Sequence, residues 1–120
     1  MDEFNDLVDR YIAVWNETDA AKRQTLIATT FTADTHFVDP IQEGSGRDGI
    51  EALVAGAQER FPGFRFRRAG SADGFGNRVR FRWELAPEGG AALVEGTDFA
   101  TIADGRLAAV TGFFDRLPAA

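Results

Sequence analysis

The segment Arg78 to Ala86 alternates with a period of two. Val79, Phe81, Trp83 and Leu85 fall on one side, and Arg78, Arg80, Arg82 and Glu84 on the other. Such a pattern belongs to a strand with one buried and one solvated face. Its neighbours leave no room for a helix. Phe64 to Ala69 reads as a strand, and Ser71 to Asn77 as a turn rich in Gly and Asp. Pro87-Glu88-Gly89-Gly90 turns the chain into a strand from Ala91 to Ala103. Asp104-Gly105 is a strong hairpin signal before a last strand, Arg106 to Asp115. Connections this short demand antiparallel neighbours, so the C-terminal half is a four-strand meander. A sheet that is apolar on one face needs a cover.

The N-terminal half supplies one. Phe4, Leu7, Val8, Tyr11, Ile12 and Trp15 follow the three-four rhythm of an amphipathic helix, with Asp6, Asp9, Arg10 and Asn16 facing away. Thr18-Asp19 stops that helix and caps a second, from Ala20 to about Thr30, which buries Leu26 and Ile27 and extends its apolar face to Phe31. A β-rich run, Thr35 to Asp39, ends at Pro40, because proline forces the preceding residue out of helical geometry. Ile41 to Gly46 reads as a loop. Ser45-Gly46-Arg47-Asp48 has capping-box spacing and opens a third helix with Ile50, Leu53, Val54, Ala57 and Phe61 inside, closed by Pro62-Gly63. The fold expected is α+β, with helices wrapped over one face of a curved antiparallel sheet and any chemistry in the space between them.

At 120 residues the chain suits one domain, 1–120, with one core. A net charge of −6 repels polyanions, so no nucleic-acid partner is expected. No basic cluster beside an apolar helix suggests a membrane surface, and no apolar run reaches the length of a span. The acidic opening Met1-Asp2-Glu3-Phe4 does not read as a signal peptide, which makes a cytoplasmic location the default expectation. The absence of cysteine excludes thiol nucleophiles and thiolate metal sites; a single histidine, His36, excludes multi-histidine zinc sites. Leu117-Pro118-Ala119-Ala120 reads as a loose tail.

Three polar residues stand where the pattern expects apolar ones. Tyr11 lies on the buried stripe of the first helix, either as a core tyrosine with its tip at the surface or with its hydroxyl partnered inside. Asp39 shares a strand face with Phe37; it either ends the strand and caps a turn or points inward with Phe37. Asp98 lies mid-strand, where aspartate is disfavoured, so it faces solvent or has a task. His36 falls on the face opposite Asp39 and reads as structural. Trp15 and Trp83 are core residues that would line whatever space the helices leave over the sheet.

Arg10-Tyr11-Ile12-Ala13, Val38-Asp39-Pro40, Gly46-Arg47, Thr97-Asp98-Phe99 and Asp104-Gly105-Arg106, in that order, resemble the nuclear transport factor 2-like superfamily. Within it the resemblance is to the SnoaL-like polyketide cyclases and ketosteroid isomerases, from about Phe4 to Phe114. The resemblance implies a cone-shaped, strongly curved sheet (a cystatin-like α-β(4) roll) closed by three helices, with a deep apolar pocket at the open end. It places the isomerases' phenolic donor on Tyr11, their general base on Asp39 and their second oxyanion donor, a carboxylic acid kept neutral by its pocket, on Asp98. The expected reaction is proton abstraction α to a carbonyl, needing neither metal nor cofactor, on a small apolar molecule. Trp15, Phe37, Phe61, Trp83 and Phe114 are the expected ligand contacts, and the bulk of the two tryptophans argues against a four-ring substrate. The family commonly pairs through the outer sheet face, so a homodimer is expected, with Leu93, Phe99 and Thr101 as candidate contacts. A non-catalytic ligand-binding module and a structural pairing domain are the alternatives.

Overall fold

The computed structural model describes residues 2–118, so the final two residues of the expected tail lie outside it. Three helices, α1 (Asp2–Asn16), α2 (Ala20–Thr30) and α3 (Gly46–Arg60), cover one face of a seven-stranded sheet. The strands are β1 (Phe31–Val38), β2 (Glu43–Ser45), β3 (Phe64–Arg68), β4 (Asp73–Phe75), β5 (Arg78–Pro87), β6 (Val94–Ala103) and β7 (Arg106–Arg116). Their order is β2-β1-β7-β6-β5-β3, with β4 also paired to β5. The meander β3-β5-β6-β7 is antiparallel throughout. Its β6–β7 hairpin turns on Asp104 and Gly105, at φ 54° and 72°; two consecutive left-handed residues match the twist of the flanking strands.

The sheet is mixed and not wholly antiparallel, because β1 runs parallel to β7. The two are joined only through the rest of the chain, so no short turn fixes their direction. Three local expectations also change. Phe31 does not continue α2 but begins β1, fully buried, and its N–H closes the helix on the Ile27 carbonyl. The expected loop after Asp39 contains β2, which hairpins onto β1, and the expected turn at 71–77 contains β4, which hairpins onto β5. Three residues are too few to display alternation. Ser45 does not cap α3: as the register partner of His36 in β2, it places its hydroxyl 2.9 Å from His36 Nδ1. His36 Nε2 lies 2.8 Å from Glu43, so the only histidine is engaged at the exposed edge of the sheet.

The core forms where α1 lies over the sheet. Leu7, Val8, Tyr11, Ile12 and Trp15 are buried against Phe31, Phe37, Val79, Phe81 and Val110, as the helical and strand periodicities require. Arg23 is also buried and fastens the helices together. Its guanidinium binds Glu51 of α3 at 2.6 Å, the Glu17 carbonyl at 2.7 Å and Gln58 at 3.1 Å. Asn16 at the end of α1 pairs with both the N–H and the C=O of Phe66, each at 2.8 Å, which closes the exposed side of β3. Among the described residues no helix is long and apolar enough to cross a membrane.

Candidate active site

Between α1, α3 and the concave face of the sheet lies a cavity of about 140 Å³, opening past the end of α3. A void of about this size, lined by apolar side chains, accommodates one benzene-sized ring. Trp15, Phe37, Phe61, Trp83 and Phe114 all line it, and all but Phe61 belong to one chain of tilted and edge-on aromatic contacts. Trp15 meets Phe37 at 5.7 Å between ring centres, and Trp83 meets Phe114 at 6.3 Å. Phe66, which links Trp15 to Trp83, is a lining residue that the sequence reading left out.

Tyr11, Asp39 and Asp98 face the same cavity. Strand parity puts Asp98 on the inner face of β6 with Gly96 and Ala100, and it is only 2% exposed. Its two oxygens are both engaged. Tyr11 Oη donates to Oδ2 at 2.8 Å, and Trp83 Nε1 donates to Oδ1 at 2.9 Å. The Tyr11 hydroxyl is thus buried and partnered, with no route to the surface at its tip. Burial is the largest influence on Asp98 and lifts its carboxyl from 3.8 to about 6; the bonds from Trp83 and Tyr11 oppose that rise, and the negative charges of Asp39 and Asp115 add to it. Burial, followed by the charge of Asp98, holds the Tyr11 phenol well above 10.

Asp39 lies one residue beyond β1, where Pro40 ends the pairing. Oδ1 accepts the N–H groups of Ile41 at 2.9 Å and Gln42 at 3.0 Å, and Oδ2 accepts Gln42 Nε2 at 3.2 Å. Asp39 therefore does cap a turn, and the same turn holds its carboxylate at the cavity wall. Both functions follow from one conformation. Gln42 in turn accepts from Arg60 at 3.3 Å, and both line the cavity mouth.

Two glycines make this arrangement possible. Gly112 of β7 is the register partner of Asp98, and a methyl group there would stand 2.8 Å from Asp98 Oδ1 and 3.3 Å from Asp39 Cβ. The gap between the two carboxylates is therefore kept by the absence of a side chain. Gly96 is the register partner of Trp83, whose indole lies over it so closely that any side chain at 96 would collide with the six-membered ring. That contact is what lets Trp83 lie down and reach Asp98. Glycine inside a strand signals such close approach, so both positions were readable in principle. Gln42 carries a weaker signal, the Asp-Pro turn three residues before it, and the alternation of β5 marks Trp83 only as an apolar wall.

A family model described as the SnoaL-like domain matches residues 8–110. A crystal structure of a SnoaL-like family protein from Agrobacterium tumefaciens, named as a candidate isomerase, is 38% identical, with a TM-score of 0.92 over 97% of this chain and 100% of that one. A candidate polyketide cyclase from Bacillus cereus, 18% identical, gives 0.74 over 94% and 74%. A candidate ketosteroid isomerase from Kribbella flavida, 15% identical, gives 0.69 over 99% and 82%. At those identities the last two show the fold alone. No curated protein matches. The chain therefore belongs to the SnoaL-like family and has the nuclear transport factor 2-like fold.

Proposed function

We propose that this protein enolises a small carbonyl compound bound in the apolar cavity, acting as an isomerase or cyclase of the cofactor-free kind. The observation that carries this reading is the placement of two carboxylates in contrasting surroundings on one cavity. Asp39 is held by three donors near the mouth, and Asp98 is sealed beneath Tyr11 and Trp83. Unlike environments divide acid from base between paired carboxyls. Asp39 is the base. One of its carboxylate oxygens takes a proton from the carbon next to the carbonyl; the C–H electron pair moves into the new C=C bond, and negative charge gathers on the ligand oxygen. Returning the proton to a different carbon completes an isomerisation.

The ligand oxygen needs a donor, and Tyr11 has one proton, which it gives to Asp98. Protonating Asp98 resolves the conflict. Its O–H then donates to the Tyr11 oxygen, and the Tyr11 proton turns into the cavity. In this arrangement Asp98 acts through Tyr11 and does not donate to the ligand itself. An oxyanion arriving in the cavity repels the Asp98 carboxylate and raises its proton affinity further, so binding of such a ligand takes up a proton.

Hydrogen–deuterium exchange of small ketones in D2O, followed by NMR, tests the reading. Positions α to the carbonyl of a one-ring ketone are expected to exchange faster than in buffer alone, and a bound phenol should suppress the excess. If one-ring phenols bind and a panel of such ketones exchanges only at the buffer rate from pH 5 to 8, the binding-module reading replaces this one.

The outer sheet face supports pairing with a second copy. Phe99 and Phe113 are 44% and 52% exposed and meet edge to face at 5.8 Å. Phe99 and Thr101 also line a groove of about 420 Å³ beneath the β4 hairpin. Sedimentation of the chain at micromolar concentration is expected to report a dimer, and Phe99→Glu a monomer. A monomeric wild type would end the proposal.

A further inference from the structure

Trp15 follows Tyr11 by one helical turn on α1, and the two rings meet at 6.2 Å with a 58° tilt. The Trp15 side chain lines the cavity and is 6% exposed, yet among the described residues its Nε1–H has no hydrogen-bond partner. A buried donor without an acceptor is costly and calls for an explanation. The other cavity indole spends its N–H on Asp98. Trp15 and Tyr11 line the same cavity with their rings in contact, and the Trp15 N–H favours the charged form of the Tyr11 oxygen without making a hydrogen bond to it. The Asp98 carboxylate is a far weaker base than a phenolate or enolate, so it leaves the proton on Tyr11 and draws less negative charge onto that oxygen than such a ligand would.

We propose that Trp15 is a positioning residue for Tyr11, its indole N–H closing on the Tyr11 oxygen only when Tyr11 shares its proton with a negatively charged ligand oxygen. This rests on the proposed use of Tyr11 as the oxyanion donor. A bond absent before charge develops and made as it develops contributes its whole strength to the charged state, where a bond present throughout would contribute only the difference. Asp98 and Asp39 both add negative charge near the Tyr11 oxygen, and the Trp15 N–H opposes them. The orphaned donor thereby marks the cavity as a site for an oxyanion: the charged oxygen of an enolate or phenolate.

The test uses one-ring phenols of graded acidity with toluene as the uncharged comparison. The chain has two tryptophans, so its indole N–H spectrum holds two signals, of which Trp15's is assigned by its proximity to Tyr11. Binding of phenolates is expected to move that signal downfield, further for more basic phenolates, while toluene leaves it in place. Trp15→Phe alters the cavity wall for both ligands but should weaken phenolate binding roughly 5- to 20-fold more than toluene binding, the worth of one hydrogen bond to a partly charged group. If phenolates bind but the signal stays fixed and the variant binds them as wild type does, the inference fails and the cavity reading stands. Equal losses for toluene and phenolate would also overturn it, reducing Trp15 to packing. If neither phenols nor toluene bind the wild type, the inference and the cavity reading fall together. Should Trp15→Phe not fold, the wild-type signal decides alone.

Discussion

Asp39→Asn is expected to slow ketone α-proton exchange by about 10²- to 10⁴-fold, the usual contribution of a positioned general base, while phenol affinity changes by less than about threefold. The separation between the two readouts comes from the geometry of the Asp39 turn. Asparagine keeps an oxygen for the N–H groups of Ile41 and Gln42, so the turn and the cavity wall survive. What it loses is the lone pair of a carboxylate with an affinity for the transferred proton. The amide that replaces Oδ2 also faces Gln42 Nε2, and the Gln42 side chain accommodates it by turning its own oxygen inward, giving up its exposed 3.3 Å bond from Arg60. NMR exchange rates and a phenol titration on the same samples decide the matter. Exchange that survives the substitution would transfer the base to another group, and Asp98, the other carboxyl on the cavity, is the first to examine.

The second large effect concerns stability and pH. Asp98 titrates at about 6 in the folded chain against 3.8 as its ordinary value, so between those values the folded state holds the proton that the unfolded state has lost. Stability from this group is complete below pH 3.8 and declines as pH rises through 6, by about 3 kcal/mol in all. The carboxylate that remains is buried beside Asp39, and the bonds from Tyr11 and Trp83 compensate its lost hydration only in part. Asp98→Asn imitates the protonated form. Its amide N–H can donate to the Tyr11 oxygen while its carbonyl accepts from Trp83, and no charge is left to bury. The variant and wild type should be similarly stable near pH 4, with the variant ahead by about 3 kcal/mol at pH 7.5. Urea unfolding at four pH values from 4 to 7.5 measures that gap. Two parallel curves would show that Asp98 does not titrate where its burial places it. The same variant bears on function: with the Tyr11 proton released to the cavity at every pH, phenolate binding should persist above pH 7, where it weakens in the wild type.

How much of this was legible in the sequence differs between the two parts of the site. Tyr11 could be placed inward by helical rhythm, and Phe37 by alternation, because each signal spans only a few residues and follows from backbone geometry. The SnoaL-like resemblance added the reason to consider Asp39 and Asp98 together. Alternation on β6 divided Gly96, Asp98 and Ala100 from Thr97, Phe99 and Thr101 without indicating which set was inside, since both contain small and apolar residues. The direction was decided elsewhere in the sheet. Asp98 pairs with Phe81 on β5 and Gly112 on β7, and the inward sides of those strands are fixed by Val79, Phe81 and Val110.

The sequence by itself determined the three helices, the antiparallel meander and the apolar faces that must meet, because each rests on local periodicity and on turns that permit only one neighbour. Tertiary structure alone decided that β1 runs parallel to β7, which sets Asp39 beside Gly112 and hence near Asp98. It alone decided that Tyr11 donates to a carboxylate 87 residues away, that Trp83 lies down on Gly96 to make the second bond, and that Trp15 is left with a donor unspent. The physical reason is one of range. Periodicity reports which face of an element is buried, whereas a hydrogen bond depends on tenths of an ångström between elements that only the packed core brings together.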